Sequence, residues 1–258
     1  MKKLFLFILT GLLAGSLYAQ DANNEEAAKL KNAGNAAYKA KNYLEAFTNW
    51  EKYLKLVNFK DDATVFNTAF VADKAKKYAE AEKYFDMSIK NNYKPASSYL
   101  GKANAQQDAK KFAEMIATLE AGIKACPGQS SKLETKYAMY FLKEGQKFQK
   151  ANNITKAAEN YQKIAQMSNK GYKSQGLLSL GSLYFNAGAT ILEKAAPLAT
   201  STKPSERQQY EAEKEKALTM FKKAQGFLVE GSGADPKNED IKETLKQVQE
   251  AIATHSKK

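Results

Sequence analysis

Small and large apolar residues follow one another along the chain in an order that returns at a regular interval. In the first copy Gly34 is followed nine residues later by Tyr43, and then by Ala46 and Trp50. Small positions of this kind let the two helices of a hairpin approach closely, and the large ones fill the space between hairpins. Corresponding residues stand at Ala69, Tyr78, Ala81 and Phe85, at Gly145, Ile154, Ala157 and Tyr161, and in altered form at Gly101, Phe112, Met115 and Leu119.

The interval between copies predicts an all-α fold built from stacked helical hairpins. Tyr43 and Tyr78 are 35 residues apart, and Tyr78 and Phe112 are 34 apart, which is the length of one helix–turn–helix repeat. About five hairpins are expected, at residues 25–58, 62–92, 95–127, 131–168 and 172–230, with a capping helix at 236–254. Together they predict a single solenoid domain over residues 20–254.

Two repeats depart from the pattern. Gly101 and Phe112 are eleven residues apart, so the first helix or the turn of the third hairpin is expected to be two residues longer. In the fifth hairpin the first helix is expected to continue to Ala195 and to be broken by Pro197. A polar loop and a capping box at residues 205–208 should follow, and residues 235–236 should begin the last helix.

The first nineteen residues have the composition of a secretory signal peptide. Lys2 and Lys3 precede an apolar run over residues 4–13, and small residues lead to Ala19. The run is too short to span a bilayer. Ser16 stands where a lipoprotein needs its lipidated cysteine, so no acyl chain is expected there. These features predict cleavage after Ala19 and a soluble, non-lipidated, exported protein that acts in a bacterial periplasm.

Composition disfavours several classes of function. The net charge is +12, yet Arg207 is the only arginine, whereas nucleic-acid recognition favours the guanidinium fork. A single cysteine, Cys126, excludes an internal disulfide. The only histidine, His255, falls in a tail that is expected to fray, which leaves no histidine for a metal site or a general base. We therefore expect no catalytic residues, no cofactor, no metal and no nucleic-acid partner.

With this pattern of small and large residues, the chain resembles the tetratricopeptide repeat (TPR) family over residues 25–254. The resemblance is specific at three hairpins and weaker at two. It implies antiparallel helix pairs stacked into a right-handed α-solenoid. It also implies a concave groove, lined by the first helix of each pair, in which peptides or partner helices lie. The fold expectation is thus a right-handed solenoid of TPR-like hairpins plus a C-terminal capping helix.

The same resemblance assigns groove-facing positions in each repeat. In the first two repeats they are Lys31, Asn35, Tyr38 and Lys39, and Phe66, Asn67, Phe70, Asp73 and Lys74. In the third repeat they are Lys102 and Gln106, placed with its two extra residues in mind. In the last two they are Met139, Leu142, Gln146, Gln149 and Lys150, and Leu178, Ser182, Phe185 and Asn186.

Two interpretations of these positions stay open. A subgroup of the family binds a terminal carboxylate with lysines and asparagines, and Lys31, Asn35 and Asn67 match three of its five positions; the other two hold no lysine or arginine, although Lys94 and Lys102 lie close. The groove aromatics either pack between first helices with only their edges exposed, or form an apolar floor rimmed by lysines. The second arrangement would suit an extended, acidic peptide.

Function follows as a hypothesis in three forms. The leading one is a non-enzymatic scaffold in the cell envelope that binds a peptide or partner protein in the groove. The second is binding of an anionic envelope polymer or lipid head group through the lysine-rich surface. The third is an accessory subunit of an envelope enzyme complex. Salt separates the first two, because binding driven by counterion release weakens steeply as salt rises.

Overall fold

A computed structural model describes residues 23–256, and the predicted signal peptide at residues 1–19 lies outside them. The expected all-α fold is confirmed. In the described range there are eleven helices, which pack in sequence as hairpins. They are α1 (residues 23–39), α2 (Tyr43–Leu56), α3 (Asp62–Lys74), α4 (Tyr78–Lys90), α5 (Pro95–Asp108), α6 (Phe112–Ala125), α7 (Ser131–Lys150), α8 (Ile154–Ala165), α9 (Lys170–Ala199), α10 (Pro204–Ala234) and α11 (Glu239–His255).

The described chain divides into two compact units between Glu134 and Thr135. An apolar cluster of the first unit runs from Ala27 to Ala105 and includes Trp50 and Phe85. In the second unit, a cluster around Phe221 and Leu228 joins α9, α10 and α11. A single continuous solenoid over residues 20–254 stays a prediction.

Four of the hairpins have turns of the same length, three residues, and of the same conformation. The turns are 40–42, 75–77, 109–111 and 151–153, and their middle residues, Lys41, Lys76, Lys110 and Asn152, have φ between 57° and 61°. In the first turn the N–H of Asn42 donates to Ala37 O and that of Lys41 donates to Tyr38 O, both at 2.9 Å. This pair of bonds is a Schellman motif, here formed without glycine. It fixes the spacing between the two helices of each hairpin.

The constant turn corrects the expectation for the third hairpin. Its turn has three residues, and α5 has 14 residues against 13 for α3, so there is no two-residue insertion. Counted back from Phe112, the small residue that corresponds to Ala69 is Ala103, which is fully buried. Gly101 has a different role: a Cβ there would lie 2.3 Å from the Phe85 ring of α4. The glycine therefore allows close packing between the second and third hairpins.

Glycines also lie against rings inside hairpins, as the pattern of small and large residues predicts. A Cβ on Gly34 would lie 2.3 Å from the Trp50 indole, and one on Gly145 would lie 2.3 Å from the Tyr161 ring. Trp50 and Tyr161 are each 2% exposed. The aromatic residue of the second helix therefore rests directly on the backbone of the first helix.

The fifth hairpin is longer than predicted, and three of its boundaries were wrong. Pro197 lies inside α9, which ends two residues later at Ala199; a proline so near the end removes one backbone donor and leaves few turns to disrupt. α10 begins at Pro204, with Lys203 as N-cap and no side-chain cap bond. A capping box at residues 205–208 is thus excluded, because those residues are already helical. α10 also continues through Gly231 to Ala234.

The last helix begins later than predicted and has His255 as its last residue. Pro236 lies in the turn after α10, and Asn238 caps α11 by accepting a bond from Ile241 N. The capping helix is thus Glu239–His255 rather than 236–254. The His255 ring lies 6.5 Å from that of Phe221 in α10. Ile241 and Val248, two apolar residues of α11, are fully buried.

Candidate partner-binding surfaces

Two aromatic rings are exposed side by side on the first helices of the first unit. Tyr38 is 43% exposed and Phe70 is 36% exposed, and their rings meet edge to face with centroids 6.4 Å apart. Lys74 Nζ lies 5.4 Å from the centroid of the Phe70 ring, and Lys39 is exposed beside Tyr38 in sequence. We refer to Tyr38, Lys39, Phe70 and Lys74 as the Tyr38–Phe70 face.

Lys31, expected in the groove, instead ties the first hairpin to the second. Its Nζ donates to Asp61 Oδ2 at 2.7 Å, and the same oxygen accepts the Tyr53 hydroxyl at 2.9 Å. Asp61 also caps α3 by accepting from Thr64 N at 3.0 Å. Burial alone would raise the pKa of Asp61, but the hydrogen bonds from Lys31, Thr64 and Tyr53 outweigh it and hold the pKa well below its ordinary value. Lys31 is thus a structural residue as well as a surface one.

Asn35 and Asn67 are both exposed, but Asn35 is also hydrogen-bonded within the chain. Asn35 Oδ1 accepts a hydrogen bond from the Trp50 indole Nε1 at 3.2 Å. Two of the three positions that match a carboxylate clamp, Lys31 and Asn35, therefore have partners that hold the hairpins together. The remaining one, Asn67, is a neutral side chain on the surface. At those three positions a carboxylate would therefore meet only one lysine, and that lysine is already bound to Asp61.

Phe66 and Asp73 are mostly withdrawn from the surface. Phe66 packs between Phe85 at 5.9 Å and Tyr93 at 6.1 Å, so the interpretation that groove aromatics pack between elements holds for this ring. Asp73 is 9% exposed and Lys74 Nζ is 3.8 Å from its Oδ2. Burial raises the pKa of Asp73, an effect that Lys74 opposes and Asp108 reinforces.

The two residues proposed for the third repeat do not line an accessible groove, because they were placed in the wrong register. Gln106 is 2% exposed and its Nε2 donates to Glu82 of α4 at 3.0 Å. Lys102 Nζ donates to Asp86 of α4 at 2.7 Å. Counted back from Phe112, the residue that corresponds to Phe70 is Asn104, which is exposed. Counting from the constant turn would have found it.

In the second unit the predicted positions divide between surface and core. Gln149 Oε1 accepts the Tyr161 hydroxyl at 2.7 Å, and Phe185 packs 5.6 Å from Phe221. Ser182 is half-buried, as are Leu142 and Leu178. The exposed ones are Gln146, Lys150 and Asn186, and Met139, at 58%, is the most exposed large apolar residue in the described part of the chain.

The second unit also has a cavity that the sequence analysis missed. It measures about 620 Å³ and lies along α9, between α8 and α10. Its floor is the stripe Leu180, Tyr184, Ala187 and Ile191 of α9. We refer to it as the α9 trough. The stripe's helical spacing was a signal available in the sequence, but the gap above it also depends on how α8 and α10 pack on α9.

Residues 23–256 hold no group of three or more metal-ligating side chains of the His, Cys, Asp and Glu types. Cys126 is buried, and burial raises the pKa of its thiol. Within the same range no helix combines the length and the apolar character needed to cross a membrane.

The chain is similar to a solved TPR repeats protein from Bacteroides fragilis. The two sequences are 47% identical, the match covers 88% of this chain and 99% of that one, and the TM-score is 0.78. The chain belongs to the TPR repeat proteins. No family model and no curated protein matches it. TPR repeat proteins typically mediate protein–protein interactions, and the TPR scaffold is typically non-catalytic.

Two more distant TPR-like structures match with lower scores. MamA protein is 17% identical, over 84% of this chain and 97% of that one, with a TM-score of 0.39. The TPR2AB domain of yeast Sti1, solved in a complex with pHSP90, is 14% identical, over 91% of this chain and all of that one, with a TM-score of 0.35.

Proposed function

We propose that this TPR protein is a non-enzymatic interaction scaffold that binds a peptide or partner protein on the Tyr38–Phe70 face. The exposed aromatic pair is the observation that carries the proposal. Large aromatic rings on a protein surface are costly to leave in water and are frequent binding anchors. Phe66 and Phe185, predicted for the same role, are less exposed than Tyr38 and Phe70.

Lysines beside the rings favour a partner segment that carries carboxylates. Lys39 and Lys74 flank Tyr38 and Phe70 on the same helices. Lys74 Nζ also lies 3.8 Å from Asp73 Oδ2, and Lys31 is bound to Asp61 at 2.7 Å. An apolar side chain of the partner would contact the rings, and an acidic neighbour would meet the ammonium groups. Such charges add specificity and speed association more than they add affinity.

A protein partner also fits the surface better than an anionic polymer does. Several lysines pair with a glutamate three residues away, such as Lys203 with Glu206 at 2.8 Å and Lys216 with Glu213 at 2.7 Å. These local pairs break up the positive field that a polyanion would need. We therefore expect binding of the partner to keep most of its affinity as salt rises.

Export to the periplasm is part of the proposal, and it rests on the signal-peptide pattern of residues 1–19. Cleavage after Ala19 makes Gln20 the first residue of the mature protein. Intact-mass measurement of the protein from the cell envelope should give a chain that begins there. A chain that retains Met1 in a cytosolic fraction would contradict the location without affecting the proposed binding face.

Site-specific photo-crosslinking in the native cell tests the binding face. A benzophenone amino acid replaces Tyr38 or Phe70 in one pair of variants, and Leu44 or Leu56 of α2 in the control pair. The controls match because they are apolar and 55% and 40% exposed. We expect a discrete adduct of the same partner at both Tyr38 and Phe70 and none at the controls. Adducts at Leu44 and Leu56 alone would place binding on the second helix and contradict the proposal.

A further inference from the structure

The α9 trough is a mostly apolar channel with helical walls. From Leu180 to Lys194 its floor covers fourteen residue steps of α9, which is about 21 Å at 1.5 Å per residue. Ile154 and Ala158 of α8 form one wall, and Met220 and Phe227 of α10 form the other. Its volume, about 620 Å³, is in the range of preformed ligand sites.

Two stacked rings hold one part of the trough in place, and a small residue lines the middle of its floor. Tyr184 stacks on Phe227 with centroids 5.7 Å apart and ring planes 15° apart, so these two rings hold each other in place. Ala187, one turn further along α9, also lines the floor. A small residue at that point lets a facing backbone approach closely, as Gly34 and Gly145 do inside the hairpins.

Charges at the edges of the trough are unequal on its two sides. Lys223 of α10 lines one wall and Glu159 of α8 lines the other, and Lys194 of α9 lies at the end of the floor. All three are exposed, and Lys223 Nζ lies 5.5 Å from the centroid of the Tyr184 ring. An occupant whose carboxylates face the α10 wall and the Lys194 end of the floor would thus meet two ammonium groups.

We propose that the α9 trough binds an amphipathic helix of a partner protein, with acidic residues along the edge that meets Lys194 and Lys223. A helix satisfies its own backbone hydrogen bonds, which an extended peptide between helical walls would not do. About four turns of helix match the length of the floor. The site lies in residues 152–227 and is separate from the Tyr38–Phe70 face, so it goes beyond the proposed function.

Synthetic helices are the probes for the test. The first is a fluorescein-labelled peptide of about 16 residues, with leucines on one face and glutamates along one edge. The second replaces its glutamates by lysines. The third has the composition of the first in an order without an apolar face. By fluorescence anisotropy with the purified chain, we expect the first to bind at least about ten-fold more tightly than either of the others.

Variants of the chain locate the binding. The double change Lys194→Glu and Lys223→Glu should weaken binding of the acidic probe about ten-fold and strengthen binding of the lysine probe. Ala187→Trp, which fills the floor, should weaken both. The matched control changes Lys222 and Lys246 to glutamate, two exposed lysines that do not line the trough. It should leave the preference for the acidic probe over the lysine probe unchanged. Should Ala187→Trp fail to fold by circular dichroism, the lysine variants still decide.

Several results would overturn the proposal. Equal affinity for the first and third probes would show that binding depends on peptide composition alone. An equal loss of affinity in the Lys222/Lys246 control would show that it depends on the net charge of the chain. Binding of dodecanoate that Ala187→Trp abolishes, without binding of any peptide, would assign the trough to an anionic amphiphile instead. Replacement of Tyr38 and Phe70 by serine should leave probe binding unchanged, so failure here and failure of the proposed function are distinguishable.

Discussion

Replacing Trp50 by alanine is expected to lower the free energy of unfolding of the first hairpins by about 3–5 kcal/mol. The indole is 2% exposed, rests on the backbone at Gly34 and donates its N–H to Asn35. Its removal leaves a cavity and deprives Asn35 of its donor. Because repeat units depend chiefly on their neighbours, residues 135–258 should keep their stability.

Hydrogen exchange read along the chain measures the effect of Trp50→Ala and its extent. Protection should fall in α1 to α4 and stay unchanged in α9 to α11. Leu44→Ala is the control, because Leu44 lies on the same helix and is 55% exposed; surface changes of this kind shift stability by about 0.5 kcal/mol or less. An even loss of protection over both units would contradict the local character of the packing.

Gly176→Ala is expected to destabilise the second unit by about 3 kcal/mol, the upper end for overpacked sites. A Cβ at residue 176 would lie 2.3 Å from Ala165 N and 2.8 Å from Ala165 Cα. These are backbone atoms at the end of α8, which cannot rotate away as a side chain can. The two helices must separate, and the walls of the α9 trough with them.

The control for Gly176→Ala is a substitution that is expected to raise stability rather than lower it. Gly226 lies within α10 and is exposed, and a Cβ there would meet nothing within 4 Å. Gly226→Ala should therefore stabilise the unit by about 0.5–1 kcal/mol through its better helix propensity. Urea denaturation of both variants supplies the comparison. A Gly176→Ala variant as stable as the parent would show that α8 and α9 are not held at the spacing described.

Much of the fold was predictable because it depends on local periodicity. The spacing from Gly34 to Tyr43 recurs where a three-residue turn joins two helices, and the pattern residues Tyr78 and Ile154 are the first residues of α4 and α8. The predicted register of the third repeat was wrong for a related reason. Gly101 resembles the small residue of the pattern, but it serves the packing between hairpins, which spacing within one hairpin does not reveal.

The candidate site was harder to predict, since exposure depends on partners that are remote in sequence. Nothing near Lys31 in the sequence shows that Asp61, thirty residues on, binds its ammonium group. Phe66 and Phe70 are equally aromatic, yet Phe66 packs against Tyr93 whereas Phe70 is 36% exposed. The trough depends on α9 having 30 residues against 12 for α8, and Pro197 suggested a shorter helix.

Affinity for the partner captured by photo-crosslinking tests the central claim most directly. The double variant Tyr38→Ser and Phe70→Ser is compared with Leu44→Ser and Leu56→Ser, which remove similar apolar surface from α2. Isothermal titration calorimetry should show a dissociation constant at least about ten-fold higher for the first variant than for the parent. The reason is that anchor residues at an interface carry most of its binding energy. The second variant should bind as the parent does. Equal affinities for the parent and the Tyr38/Phe70 variant, with both chains folded, would contradict the account.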